Sequence, residues 1–248
     1  TEIYTNLNTL TLSLHDALPI YILGNGKSLA KTDYTKLEGD TIGMCQAFRE
    51  WYRIGWFPTI YCCIDSVVCK NNVKEILQMI KEKRCKRYLL SIEILKICPE
   101  IQEINETSQN IYYAEHLRSV PNCLMRYMAM WCSGSAAYII ALMEGYDDIS
   151  IYGVDCNYVE FLPECEKLED DTLRIKTTPV ENPNYFFNDY QREGDVYNIP
   201  NAESCHSVSW DDAVFITSAL TTLTKKSLRV VNYNVKENKS LRDNFDTI

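Results

Sequence analysis

Short apolar runs alternate with stretches of helical periodicity, and that alternation restricts the chain to a parallel sheet covered on both faces. The runs are Tyr21–Leu23, Asp40–Cys45, Thr59–Asp65, Lys86–Ser91, Ile111–Ala114, Ile149–Asp155 and Leu228–Asn234. Between them, Val73, Ile76, Leu77 and Ile80 recur at helical spacing, which predicts one amphipathic crossover helix over Val67–Lys81. Ser133–Gly145 reads as the clearest helix, with Ser133 as N-cap and Gly145 at its stop. Ser209–Leu223 reads as a closing helix with Asp211 and Asp212 in its first turn, and Lys236–Ile248 as a polar tail. The expected fold is α/β: a single Rossmann-like domain with a mostly parallel sheet, helices on both faces and an aromatic-rich lid insertion at about 156–207.

The lid is expected because periodicity disappears between Cys156 and Ser207. Pro163, Pro179, Pro183 and Pro200 punctuate that stretch, and Tyr158, Phe161, Tyr185, Phe186, Phe187, Tyr190 and Tyr197 supply enough apolar surface to order it. A small packing subdomain is the alternative reading.

The first twenty residues stand apart. Thr11–Ile20, TLSLHDALPI, is what a common short-read sequencing adapter gives when translated in one frame, and Thr1–Thr5 matches its upstream part. Residues 1–20 are therefore expected to be an assembly artefact, and the native domain to be 21–248. Setting them aside removes His15, so His116 and His206 are the histidines left.

Net charge is −9, and no Lys/Arg cluster gives the basic footprint that duplex nucleic acid needs. No apolar run approaches membrane-spanning length. The cysteines number eleven, without CxxC or Cys/His ligand spacing. That usage suits reduced, small buried hydrophobes, and the expected compartment is the cytoplasm.

Chemistry is expected beyond the carboxyl ends of the strands, where open parallel sheets bind ligands. Tyr21–Leu23 stops at Gly24-Asn25-Gly26, a turn of the kind that lets backbone approach a phosphate. The pattern is neither the full GxGxxG nor the P-loop GxxxxGK followed by Ser or Thr, so neither NAD nor ATP-type binding follows from it. Gln46 and Asp65 end the next two strands, Ser133-Gly134 opens a helix, and Asp155 ends Ile149–Asp155. Each also reads as a cap or turn when taken singly; together they point at a nucleotide-sized ligand. His206, in SCHSVSW, is the candidate general base, since imidazole titrates near neutrality. Glu169-Asp170-Asp171 reads as a solvated acidic turn, and no obligatory metal is expected.

The order GNGxSL, then a strand ending CQAF, then SGSAAYIIALMEGYDDISIYGVD, then CHS before a helix and a VVNYN strand, resembles the bacterial sialyltransferases that act on lipooligosaccharide. Related motility accessory factors and MptE-like 6-hydroxymethylpterin diphosphokinases share the glycine-turn and helix-strand blocks. The resemblance spans about Tyr21–Leu241 but is carried by four short blocks. It implies a metal-independent glycosyltransferase with a CMP-sugar as donor substrate and no cofactor. It further implies that Asn25, Gln46 and Ser133 hold the donor, that Asp155 contacts it, and that His206 deprotonates the acceptor hydroxyl. Tyr158, Tyr185 and Tyr190 would hydrogen-bond the leaving phosphate.

The sequence departs from the family pattern at Lys27, where proline is frequent, and at Gln46 and Asp65, where the family has asparagine. Met130 replaces the family's arginine, with Arg126 a helical turn away, and Tyr158 is displaced from the family's tyrosine. The expected partners are a nucleotide sugar and a glycan acceptor, with no nucleic acid and no transmembrane segment; assembly into a homo-oligomer is left open. The rival expectations are a Mg²⁺-dependent diphosphokinase using Asp65 and Asp155 as ligands, and a non-catalytic nucleotide-binding module.

Overall fold

A computed structural model describes residues 19–248 except 122, 130, 170, 171, 226 and 234–237. Most of the adapter-like stretch, Met130 and the Asp170-Asp171 pair thus lie outside the described residues. Ile20, placed with that stretch by the sequence reading, begins the first strand and is fully buried.

The strands are β1 (Ile20–Leu23), β2 (Asp40–Met44), β3 (Ile60–Cys63), β4 (Arg87–Leu90), β5 (Ile111–Tyr113), β6 (Asp148–Tyr152), β7 (Cys165–Lys167), β8 (Thr172–Ile175), β9 (Val196–Asn198), β10 (Arg229–Tyr233) and β11 (Asp246–Thr247). The helices are α1 (Phe48–Ile54), α2 (Ser66–Asn71), α3 (Val73–Lys81), α4 (Glu100–Ser108), α5 (Ala114–Ser119), α6 (Ser133–Met143), α7 (Val208–Thr224) and α8 (Lys239–Asn244). Eight strands form one sheet in the order β11-β10-β6-β1-β2-β3-β4-β5, and every pairing in it is parallel.

Strand alternation divides the core. Ile20, Ile22, Ile60, Cys62 and Leu89 face the layer of α6 and α7, where Ala136, Tyr138, Trp210 and Ile216 are buried. Leu23, Tyr61, Cys63, Tyr88 and Leu90 face the opposite layer with Trp51, Ile76 and Met79. The α/β expectation, with helices on both faces, is what the structure has. α6 carries apolar residues all round because it packs between the sheet and α7, to which Tyr138 Oη is joined by a 2.7 Å hydrogen bond with Thr217 Oγ1.

The chain lays β2 to β5 on one side of β1, then crosses back to put β6 on the other. β1 and β6 therefore flank the topological switch point, where such sheets open a crevice. Their ends approach closely: the N–H of Gly24 donates to the Tyr152 carbonyl at 2.7 Å, and that of Gly26 to the Gly153 carbonyl at 2.8 Å. A Cβ at Gly24 would lie 2.6 Å from the Gly153 carbonyl carbon, so lack of space, not a special backbone angle, requires glycine there. The two amides are thus engaged by the sheet.

The structure corrects several element boundaries. The helix expected over Val67–Lys81 is two helices, broken at Asn72, whose buried side chain donates to the Val68 carbonyl and accepts from Arg49. β6 ends at Tyr152, so Asp155 stands beyond the strand and not at its last position. A π-helical turn, Ala202–Ser207, precedes α7, which places Ser209 inside that helix. The polar tail contains α8 and β11, which pairs with β10 at the sheet edge.

The lid is ordered around the antiparallel sheet β7-β8-β9. Arg49 of α1 fastens it, donating to both Asp195 carboxylate oxygens at 2.6 and 2.8 Å and to the Tyr190 carbonyl at 2.6 Å. Both charged side chains are nearly buried, 8% and 12% exposed. Removing one partner of such a pair strands the other charge. Arg49→Ala is accordingly expected to destabilise the protein by about 3–5 kcal/mol in urea unfolding. Gly24→Ala, which forces β1 from β6, is expected to lower stability by about 1–3 kcal/mol in the same measurement.

Candidate functional site at the switch point

A cavity of about 580 Å³ opens beyond the carboxyl ends of β1, β2, β3 and β6. All the residues expected from the sequence to form the site line it: Gly24, Asn25, Gly26, Gln46, Asp65, Ser133, Gly134, Asp155, Tyr158, Tyr185, Tyr190 and His206. They come from the sheet edge, the start of α6, the lid and the π-helical turn before α7.

Asn25 is held from two sides. Its Nδ2 donates to the Met44 carbonyl at 3.2 Å and to Tyr190 Oη at 2.8 Å, while its Oδ1 is buried with no partner. A carbonyl only accepts, so the amide's orientation is fixed and its oxygen is left to receive a donor. Tyr190 Oη also accepts the N–H of Gln46 at 3.3 Å. Gln46 is 3% exposed, and its Nε2 has no partner. Two tryptophans that line the same cavity, Trp131 and Trp210, likewise carry buried indole N–H groups without partners. One acceptor and three donors are therefore unmatched around a single space, and buried polar groups in folded proteins are ordinarily matched. The residues that carry these unmatched atoms all line the cavity.

The carboxylates are already engaged. Asp155 accepts from Ser28 through both its N–H, at 3.0 Å, and its hydroxyl. A Cβ at Gly26 would come within 2.8 Å of both oxygens of that carboxylate, which explains the second glycine. Asp65 caps α2, accepting from Val67 and Val68 N–H at 2.8 and 3.1 Å, and receives Asn198 of the lid on both oxygens. Among the described residues no group of three or more His, Cys, Asp or Glu side chains converges as a metal site. Arg126, the basic residue nearest to Met130 in sequence, is exposed and outside the cavity lining.

At the start of α6 the N-cap is Cys132, not Ser133. Its sulfur accepts from the Ser135 N–H at 3.5 Å, and its own N–H meets the Ser135 hydroxyl at 3.4 Å, closing a capping box. The N–H groups of Ser133 and Gly134 occupy the first helical turn, where donors have no intrahelical acceptor. A Cβ at Gly134 would touch Trp210 at 3.2 Å, so glycine lets the indole lie against the helix start.

An aromatic run crosses the cavity. The His206 ring lies 5.1 Å from Tyr158, Tyr158 lies 6.4 Å from Tyr185, and Tyr185 stacks on Tyr190 at 3.8 Å. Burial drives the phenols of Tyr158, Tyr185 and Tyr190 far above their ordinary pKa, so they remain neutral hydroxyls. Tyr190 acts as a strut between Asn25 and Gln46. At the other end, burial alone would push the Cys132 thiol up, but the nearby His206, with the Ser135 contacts, brings it down to about 7. Burial lowers His206, yet the nearby Cys132 and the Asp65 charge raise it overall.

Sequence reasoning missed Cys132, Trp131 and Trp210, and treated the cysteines as plain filling, whereas Cys45, Cys132, Cys156 and Cys205 all line the cavity. Cys45 and Cys156 hold φ of 52° and 53°, in the left-handed region that disfavours a β-carbon. Each follows closely on a strand end at the crevice, and nothing in their local sequence announces it.

No family model matches the chain, and no curated protein or solved structure matches it either.

The strut is open to test. Tyr190→Phe strands the Gln46 N–H and removes one acceptor from Asn25. It is expected to lower stability by about 1–3 kcal/mol in thermal or urea unfolding, the cost of unmade buried hydrogen bonds.

Proposed function

We propose that the protein is a glycosyltransferase of the sialyltransferase-like kind, moving a sugar from a nucleotide donor, CMP-linked by preference, to a hydroxyl of a glycan or small molecule. The observation that carries this reading is one cavity shared by an imidazole, a fixed amide with an unmatched oxygen, and unmatched N–H donors. A nucleotide sugar presents what those groups lack: hydroxyls and amines for Asn25 Oδ1, and carbonyl or phosphate oxygens for Gln46 Nε2, the two indoles and the start of α6.

In this reading the acceptor hydroxyl gives its proton to His206 as its oxygen bonds the anomeric carbon. The bond from that carbon to the phosphate oxygen breaks, and its electron pair leaves with the phosphate. Tyr158 and Tyr185, held as neutral phenols, are suited to donate to the oxygen on which charge develops. Asp65 and Asp155 then serve the site indirectly, by holding α2, the lid and the glycine turn. The eleven free cysteines suit a reducing compartment, so the cytoplasm is the proposed location. Among the described residues no helix is long and apolar enough to cross a membrane.

A thermal-shift series with CMP, UMP, UDP, GDP and ATP, each with and without Mg²⁺, is the direct test. CMP is expected to raise the melting temperature without Mg²⁺, by linkage worth about 2.7 kcal/mol at a hundredfold excess over Kd. With a CMP-sugar donor, His206→Ala is expected to reduce transfer by about 100-fold or more. Stabilisation by ATP that needs Mg²⁺, with activity abolished by EDTA, would replace this reading with phosphotransfer. Nucleotide binding with no turnover of any donor would reduce it to a binding module.

A further inference from the structure

Hydrogen-bond donors gather at the start of α6. The helix has eleven residues, and the N–H groups of Ser133 and Gly134 lie in its first turn, where aligned peptide dipoles favour negative charge. Trp210 is 0% exposed, and its indole N–H is buried without a partner. The indole nitrogen stands 3.8 Å from the point that a Cβ on Gly134 would occupy, so the unmatched donor borders this turn. Ser133 Oγ accepts from the Cys45 thiol at 3.3 Å, which leaves its own hydrogen to donate. Ser133, Gly134 and Trp210 all line the cavity, and every donor among them is neutral.

The charged groups of the remaining wall are carboxylates. Asp65 and Asp155 line it, and both are held in place: Asp65 caps α2 and receives Asn198, while Asp155 receives Ser28. Among the described residues, no lysine or arginine lines the cavity. Three cations on adjoining segments are committed elsewhere. Arg49 pairs with Asp195, Lys27 pairs with Glu181 at 3.4 Å, and Arg118 lies over the Trp131 ring and donates to the Met128 carbonyl. His206, as the base of the transfer, works as a neutral ring.

We propose that the donor carries a single negative charge: one phosphodiester, seated on the first turn of α6 and the Trp210 N–H, joined to an uncharged sugar. This donor class rests on the transferase reading and narrows it. One anionic phosphate group satisfies the neutral seat, and Asn25 Oδ1 and Gln46 Nε2 are left for hydroxyls, amines and carbonyls. A second anionic group, whether a sugar carboxylate or another phosphate, would share the space with Asp65 and Asp155 and meet no cation from the wall. Like charges in a partly enclosed cavity are weakly screened, so each raises the energy of the other. Selection against a doubly charged donor then comes from repulsion as much as from fit.

Two measurements test this, both on the full chain without Mg²⁺. The first compares two esters of CMP by calorimetry, carbamoylmethyl and carboxymethyl, which match in size and differ by one charge. The carbamoylmethyl ester is expected to bind at least about tenfold more tightly. Equal affinities, tighter binding of the carboxymethyl ester, or binding of neither would overturn the proposal. This comparison needs no variant.

The second follows indole N–H signals by NMR as the carbamoylmethyl ester and, separately, cytidine are added. The sequence has four tryptophans, so the Trp210 signal is identified by its loss in Trp210→Phe. That signal is expected to move with the ester and to stay in place with cytidine. Trp210→Phe keeps an aromatic ring but lacks the N–H, and it is expected to weaken the ester about tenfold while cytidine binding holds. A Trp210 signal that ignores the ester, or an unchanged ester affinity in the folded variant, would overturn the seat. Should the charge preference and the Trp210 response both appear while no donor is turned over, the binding assignment stands and the transferase reading alone fails.

Discussion

The site depends on how closely β1 and β6 approach at their carboxyl ends. Gly24 and Gly153 lie backbone to backbone there, with room for no side chain between them, and the chain reverses its direction across the sheet at this junction. The crossing gives the sheet a crevice; the glycines keep the floor of that crevice narrow and flat. Asp155 follows immediately, and by gripping Ser28 it folds the turn after β1 against the end of β6. Everything else in the cavity is arranged on this floor.

Around that floor the polar groups divide into those that build and those that wait. Asp65, Asp155 and Tyr190 have their partners within the protein and fix the positions of α2, the glycine turn and Asn25. Asn25 Oδ1, Gln46 Nε2 and the two indole N–H groups do not. Desolvated and unmatched, they cost the folded protein free energy that a partner matching them would recover. The left-handed backbone at Cys45 and Cys156 follows the same pattern: strain of about 1–3 kcal/mol each is sustained by the sheet where loops must turn sharply around a ligand-sized space.

The sheet was legible in the sequence because fully buried parallel strands demand uninterrupted apolar runs, and these are cut cleanly by Gly24, by Gly145 before β6 and by the helical spacing of Ile76 and Ile80. The candidate residues were legible because a parallel sheet delivers all its strand ends to one edge, so that Asn25, Gln46, Asp65 and Asp155 had to converge. What was not legible depends on single side chains meeting across long sequence separations. The break between α2 and α3 comes from Asn72 bonding to the backbone and to Arg49, which periodicity does not register. Cys132 displaces Ser133 as cap because a sulfur can accept the helix amide while the chain turns in from Trp131, and cysteine rarely serves as that signal. The tail holds a strand because an open sheet edge accepts even a short polar segment.

Arg49 fastens Asp195 and the Tyr190 carbonyl to the first helix of the sheet layer. The tyrosine that touches Asn25 is therefore anchored to the scaffold, although it belongs to the insertion. A cover held in this manner is a fixed wall at its Tyr190 end, and Asn198, on both oxygens of Asp65, ties a second point of it to the start of α2. With two separated points of the insertion riveted to helices of the main sheet, the outline of the cavity is dictated by the scaffold rather than by the insertion's own small sheet.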